Sequence, residues 1–594
     1  MHIIEGVNKK YCYAKECIWD SASKEYRNPG KCIGRLDIKD NHSEFIPNKY
    51  LKQILSIFDS EPSSLSSYEK LIVETVIEKY GVGVVKLAKI PDQLDTFAQT
   101  ARAIFYGPQL IFGAITKRYK LHLFLEEAFL KQTATDILSL SWYIASEGSA
   151  LSNSDSWLEY FENPRGAPMR SKDITRLLDI ITTDGMMSFY KLWLTSNAGS
   201  KDDDRTLYDL TSISYYGKGI DSAELGHNRD KENLNQVNFA LMCKRQTGMP
   251  LFAWPMNGSI SDVCTLEDTL SIMEKLGYKP NCLMMDRGFA SKANITYMLR
   301  RKYTFLQAIR VNAGWVRELI DAGKDERANP GSMIKEDGRT YYASTVKCRW
   351  EIIKYLSGRK AGSEEVCVSL YRGKKHELDI RPDDGIEVVA QYNCSFHALF
   401  CQDLVGSQRD RFMESLKEEH ERLAANENAD VKKELAKYFI ISKQKHARHR
   451  SVEYNLDNIK QYENKYVGYV CFLTNDKTIN TAKDVLSEYS TRDYIEKDFD
   501  EMKNDLDMRR LRVHSDHRMR ARLFIQFIAE IYMREIRVQL RKSDECKKLT
   551  RKQIFSHIKT IYKIKFKGKY RDVQPSLSKS QRCILDAMGI NVTG

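Results

Sequence analysis

Long apolar runs are missing from this chain of 594 residues. No stretch approaches the roughly 20 apolar residues that cross a bilayer as a helix, so a helical membrane protein is excluded. The opening MHIIEGVNKK lacks the apolar core of a secretion signal, so a cytoplasmic protein is expected. Paired CxxC knuckles are missing as well. The thirteen cysteines are scattered, and the densest groups are Cys12-x4-Cys17 with Cys32, and Cys394-x2-His397-x3-Cys401. Both groups lie in stretches that read as strands, where buried thiols are common, so neither structural zinc nor a disulfide framework is expected. There is no internal repeat at periods of 20 to 50 residues, which excludes a solenoid, and no low-complexity linker.

What is present describes an ordinary globular protein, 42% hydrophobic and 29% charged. The length is too great for one core and suggests three or four domains. A net charge of +13 suits a nucleic-acid partner. The excess is concentrated in Arg541–Arg571, which interleaves aromatics with lysines and arginines, and in Lys443–Arg450, KQKHARHR. Both stretches read equally as tracks for a phosphate backbone or as solvated basic helices.

Residues 1–48 alternate polar and apolar around Asn28-Pro29-Gly30, the pattern of a short antiparallel hairpin module. Residues 49–200 change to helical spacing. From 201 to 310 the rhythm is that of an α/β unit. RTLYDLTSISYY, LNQVNFALMCK and GMPLFAWPMNG read as strands, followed by an amphipathic helix that ends on Gly277. The apolar run CLMMD, the helix ASKANITYMLRRK and the strand YTFLQAI complete it. Together they predict a mixed sheet with flanking helices. Residues 311–465 lose this regularity and read as a β-rich insertion with a charged helix over Asp410–Ala436. Residues 466–540 resume with the strand YVGYVCFLTN and two helical stretches, and 541–594 form a basic C-terminal segment.

Four residues in the resumed part share a pattern, Tyr489-x2-Arg492-x3-Glu496-x6-Lys503. On one α-helix, at about 100° per residue, they fall within an arc of roughly 60°. That face would hold a metal ion with its carboxylate while the cations and phenol grip a phosphate. Such spacing also arises on solvated helices, so other acids must complete the set. Asp209 lies among apolar residues in the first strand of the α/β unit, where an unpaired charge costs several kcal/mol. Asp286 ends the run Cys282–Met285 and precedes Arg287-Gly288-Phe289, a favourable place for a metal ligand, with a cap for the next helix as the other reading. Asp202, Asp203 and Asp204 sit in polar company and read as a solvated turn. Three carboxylates converging on one place would bind divalent cations, Mg2+ or Mn2+. Two such ions can activate a nucleophile and stabilise a leaving oxygen.

The order Asp209, Asp286-Arg-Gly-Phe289, then Tyr489, Arg492, Glu496 and Lys503, resembles the DDE transposases of bacterial insertion sequences. It is most similar to the insertion-sequence-four group, which carries the Tyr-Arg-Glu-Lys spacing. The resemblance covers about residues 200 to 540. It implies a ribonuclease H-like core whose sheet is interrupted by the β-rich insertion. It also implies that Asp209, Asp286 and Glu496 ligate two Mg2+ or Mn2+ ions while Tyr489, Arg492 and Lys503 hold phosphates. It further implies cut-and-paste cleavage and strand transfer at terminal inverted repeats, on double-stranded DNA and target DNA. The expected setting is a homodimeric synaptic complex in the bacterial cytoplasm, at the nucleoid. Family members stack an aromatic from the insertion on a flipped base; Trp315 and Trp350 are candidates, with core packing the more natural role for each. End recognition falls first to the helical region, then to the C-terminal segment. Two other readings stand beside this one, a ribonuclease H-like nuclease without strand transfer and a non-enzymatic DNA-binding derivative.

Overall fold

The computed structural model describes residues 2–5, 11–15, 18–27, 30–39, 42–60, 62–80, 101–197, 205–226, 228–229, 232–336, 338–371, 385–426, 429–432, 435–442, 451–490, 493–566 and 572–591. The chain divides into two compact units, Met1–Phe105 with Ile561–Ser576, and Tyr106–Thr560 with Leu577–Gly594.

In the first unit, strands His2–Glu5, Tyr11–Lys15, Gly30–Lys39 and His42–Pro47 form one antiparallel sheet in chain order. Helices Lys49–Ser60 and Ser67–Tyr80 share a core with it through Leu51, Leu55, Ile72 and Val76. The expected hairpin around Asn28-Pro29-Gly30 is not what forms. Glu25–Arg27 turns back on Ile18–Asp20, while Gly30–Lys39 pairs with Tyr11–Lys15. Alternation marks a strand but does not name its partner, and the tight turn falls earlier, where Lys24 adopts φ 53°. Asn28 and Pro29 lie outside the described residues.

The second unit is built on a mixed sheet. Strands β1 (Arg205–Tyr215), β2 (Asn235–Lys244) and β3 (Pro250–Asn257) form an antiparallel meander. Helix α1 (Asp262–Lys275) leads to β4 (Cys282–Met285), and α2 (Lys292–Arg300) leads to β5 (Phe305–Ile309). Both new strands run parallel to β1. All seven elements match the sequence expectation in type and order. β1 is buried on both faces, and Tyr208 sends its hydroxyl under α1, 3.0 Å from Thr269 Oγ1. Pro250 and Pro255 are tolerated in β3 because that strand ends the sheet, where a missing N–H breaks no ladder.

Beyond Ile309 come α3 (Gly314–Ala322), β6 (Met333–Glu336), β7 (Arg339–Tyr355), β8 (Glu364–Leu370), β9 (Ile386–Phe400) and α4 (Val405–Ala425), then β10 (Tyr469–Thr474). The sheet order is β3-β2-β1-β4-β5-β10-β9-β7-β6, with β8 beside β7. The long strands therefore extend the same sheet through β10, which pairs antiparallel with both β5 and β9. Here the sequence reading needs correction. TYYASTVKC and EIIKYLSG are one strand of 17 residues, α3 was not expected, and the charged helix is Val405–Ala425 rather than Asp410–Ala436. Lys347, Arg349 and Glu351 alternate with Val346, Cys348, Trp350 and Ile352, and the period is lost only at the register shift between Ile352 and Ile353.

Three helices follow, α5 (Ala482–Tyr489), α6 (Asp493–Asp505) and α7 (Asp516–Leu540). α7 is buried almost throughout. Phe524, Phe527, Ile528, Ile531 and Met533 on it are each buried, at about 1.5–3 kcal/mol apiece. Helix Thr183–Asn197 lies on the β3 edge, where Tyr190 and Trp193 donate to the carbonyls of Ala253 and Pro250. Among the described residues no helix is long and apolar enough to cross a membrane.

Candidate active site

Strand pairing brings the two aspartates together. β4 lies beside β1 in parallel, with Met285 opposite Tyr208. Asp209 and Asp286 follow one step on, at the same level of neighbouring strands, and alternation turns Asp209 to the face opposite Tyr208. Neighbouring strands lie about 4.8 Å apart, close enough for two carboxylates to share a cation. Asp209 is 8% exposed, and its Oδ1 accepts the Leu210 amide at 2.8 Å. Asp286 is half-buried and extended, the last residue before a 3-10 turn, Arg287–Phe289. Its carbonyl accepts Gln307 Nε2 at 2.6 Å and the Phe289 amide at 3.1 Å.

The helix expected to carry Tyr489, Arg492, Glu496 and Lys503 is two helices. Tyr489 is the last residue of α5, while Glu496 and Lys503 lie on α6. Ser490, after Tyr489, keeps helical dihedrals, and its Oγ donates to the Ser487 carbonyl at 3.1 Å. Arg492 lies outside the described residues. The Tyr489 hydroxyl donates to Asp286 Oδ1 at 3.2 Å, and its ring stands against Phe472 with centroids 4.7 Å apart.

A cavity of about 620 Å³ gathers Asp286, Arg287, Arg310, Arg411, Tyr489 and Glu496 on its wall. Glu496 is exposed there. Lys503, two turns further along α6, is 9% exposed and stands outside this lining, as does Asp209. Tyr438 and Tyr462 add an aromatic wall, and burial raises the pKa of both phenols, keeping them neutral hydrogen-bonding groups.

Several sequence candidates have other roles. Trp350 is fully buried and donates to Thr296 Oγ1 at 3.0 Å, with Trp315 edge-on to it at 5.6 Å. Cys394 and His397 are buried within β9 and Cys401 just beyond it, and burial pushes the Cys394 thiol up to about 12. In the basic C-terminal segment, Arg551 donates to the carbonyls of Ile144 and Ala145, closing the last turn of helix Lys131–Glu147. Cys17, Asp202, Asp203, Asp204, Lys443–Arg450 and residues 567–571 lie outside the described residues. Sequence reading passed over Gln307, although a glutamine inside the apolar run FLQAI is itself a signal of a buried polar task.

Every candidate ligand is a carboxylate, the donor set of a hard divalent cation. Among the described residues, no three His, Cys, Asp or Glu side chains are gathered closely enough to form a complete cage. The pair Asp209 and Asp286 fits such a cation, and Glu496 shares the cavity wall with Asp286.

A family model described as a transposase DDE domain matches residues 200–530. No curated protein matches the chain. Among solved structures, a cryo-EM structure of the piggyBac transposase synaptic complex with hairpin DNA is similar, at 12% identity and a TM-score of 0.32. The match covers 76% of this chain and 78% of that one.

Proposed function

We propose, from the premise that the chain belongs to the transposase DDE-domain family, that it cleaves DNA at the terminal inverted repeats of a bacterial insertion sequence and joins the freed ends to target DNA. The Tyr489, Arg492, Glu496 and Lys503 spacing supports a place in the insertion-sequence-four group. The observation that carries the reading is the register of β4 on β1, which sets Asp209 beside Asp286. A mixed sheet, with β1–β3 antiparallel and β4 and β5 parallel to β1, supports a ribonuclease H-like core. In this reading residues 201–310 and 466–540 are the two parts of that core, 311–465 the insertion, and 49–200 the region that meets the DNA ends.

Asp209, Asp286 and Glu496 would hold divalent cations, Mg2+ or Mn2+. Bound there, two ions would supply Lewis acidity to the scissile phosphate and lower the pKa of an attacking water. Tyr489 orients the Asp286 carboxylate through its hydroxyl, and Gln307 fixes the backbone beneath it. Arg287, Arg310 and Arg411 give the cavity the charge that receives a phosphodiester, and Arg492 and Lys503 are assigned to holding phosphates of the same DNA. A water attacks first and frees a 3′-hydroxyl; that hydroxyl then attacks target DNA by a second in-line displacement. No covalent protein–DNA bond is needed. The working assembly is a homodimer holding two ends in the cytoplasm.

Asp209→Ala, Asp286→Ala and Glu496→Ala should each abolish Mg2+-dependent cleavage of an end-bearing duplex, by about a thousandfold or more, while gel-shift affinity stays close to wild type. Full cleavage by any one of the three would sink the assignment.

A further inference from the structure

We infer that Glu488 is the positioning residue that sets Tyr489 against Asp286, an inference that rests on the active-site reading above. Glu488 stands in the last turn of α5, next to Tyr489. An acid there runs against the helix macrodipole, which favours cations at the C-terminal end, so α5 gains nothing from it locally. Its carboxylate reaches out of the helix to two guanidinium groups. Oε1 pairs with Arg205 Nη1, and Oε2 lies 2.8 Å from Arg245 Nε.

Both partners belong to the sheet. Arg205 opens β1, four residues before Asp209, and Arg245 follows β2. The Arg245 amide donates to the Arg205 carbonyl at 2.8 Å, so the two cations share one piece of backbone. Arg205 also donates to Thr478 Oγ1 at 2.8 Å, just past the end of β10. The three charged side chains are 16–22% exposed, dry enough for the ion pairs to hold their geometry. Burial works against the Arg205 charge, but the Glu488 carboxylate outweighs it and the guanidinium pKa is raised.

One carboxylate thus ties the end of α5 to the strand that carries Asp209. The next residue, Tyr489, is then held between this anchor and the Phe472 ring, with its hydroxyl at Asp286. Without Glu488, Arg205 keeps Asp476 Oδ2 at 3.4 Å, but the end of α5 loses its tether to both guanidinium groups. Glu488 touches neither substrate nor metal in this scheme; it acts through Tyr489.

The test is a double-mutant cycle on the full chain, using a duplex that carries the element's terminal repeat. Glu488→Gln should lower kcat roughly ten- to a hundredfold, the cost of a small misplacement, with KM within about twofold of wild type. Tyr489→Phe should also lower kcat, and the double variant should be no slower than Tyr489→Phe alone. Arg245→Gln, which keeps the Arg205–Glu488 pair, should show a smaller loss of kcat in the same sense and decides the matter if Glu488→Gln melts below the assay temperature. If Tyr489→Phe is impaired and Glu488→Gln is not, or if the two losses multiply, the inference fails and the active-site reading stands. If Tyr489→Phe cleaves normally, the role given to Tyr489 fails and the inference falls with it.

Discussion

Gln307 has no titratable group and is fully buried, yet it sits under Asp286, a proposed metal ligand. It lies in β5, and its Nε2 donates to the carbonyls of Asp286 and Ala308 at 2.6 and 3.0 Å. Asp286 stands where a strand stops, and its carbonyl is held by this amide and by the 3-10 turn that follows. Gln307→Leu keeps the volume and removes both hydrogen bonds. We expect a stability loss of about 1 kcal/mol and a cleavage rate lowered about tenfold, with DNA affinity unchanged. Thermal melting and single-turnover cleavage measure the two effects; an unaltered rate in a folded variant would remove Gln307 from the site. The candidate acids were legible in sequence because a carboxylate in an apolar strand is conspicuous. Gln307 was less so, because an amide is a milder anomaly and its task depends on Asp286, a neighbour 21 residues away.

At the scale of elements, the stretch from Arg205 to Ile309 was legible because its periods are clean and its turns carry glycine. The helix DVCTLEDTLSIMEK keeps one face throughout, burying Thr265, Leu266, Thr269, Leu270 and Met273, and the strand RTLYDLTSISYY is marked by its β-branched and aromatic residues and buried on both faces. The end of α5 at Tyr489 was not legible, since Tyr489 to Lys503 has an unbroken helical rhythm. β9 shows the cost of carrying a titratable group into a sheet interior. His397 is fully buried, its Nδ1 3.0 Å from Thr345 Oγ1. Burial first, and Lys347 second, bring its pKa down to about 4 from 6.5. The unfolded chain therefore takes up the proton before the folded one does. Stability from this residue is complete above pH 6.5 and is lost as pH falls from 6.5 through 4, by about 3 kcal/mol at about 1.4 kcal/mol per pH unit. Thermal melts between pH 7.5 and 4.5 should show the decline, and His397→Gln should flatten it; an equal slope in the variant would reject this account.

For the whole molecule, the +13 charge predicts how DNA is held before any chemistry. Binding to an end-bearing duplex should weaken as salt rises, log affinity falling against log salt by about 0.9 for each phosphate neutralised. Chelating divalent cations with EDTA should leave that binding in place and stop cleavage, and added Mg2+ should restore it. Filter binding across a NaCl series with and without EDTA makes the measurement. An affinity indifferent to salt would refute the charge argument, and cleavage in EDTA would refute the metal one.

β10 completes the sheet from far away: Thr474 Oγ1 donates to the Phe305 carbonyl at 2.6 Å across a separation of 169 residues. On the ribosome, β5 must therefore wait with a bare edge until Tyr469–Thr474 emerges, at synthesis rates of about 5–20 residues per second. For those seconds the nascent chain offers an unpaired row of amides and carbonyls, the template on which strands of other chains join. A chain that stops short of Tyr469 keeps that edge for good, so incomplete products should aggregate rather than persist as partial enzymes.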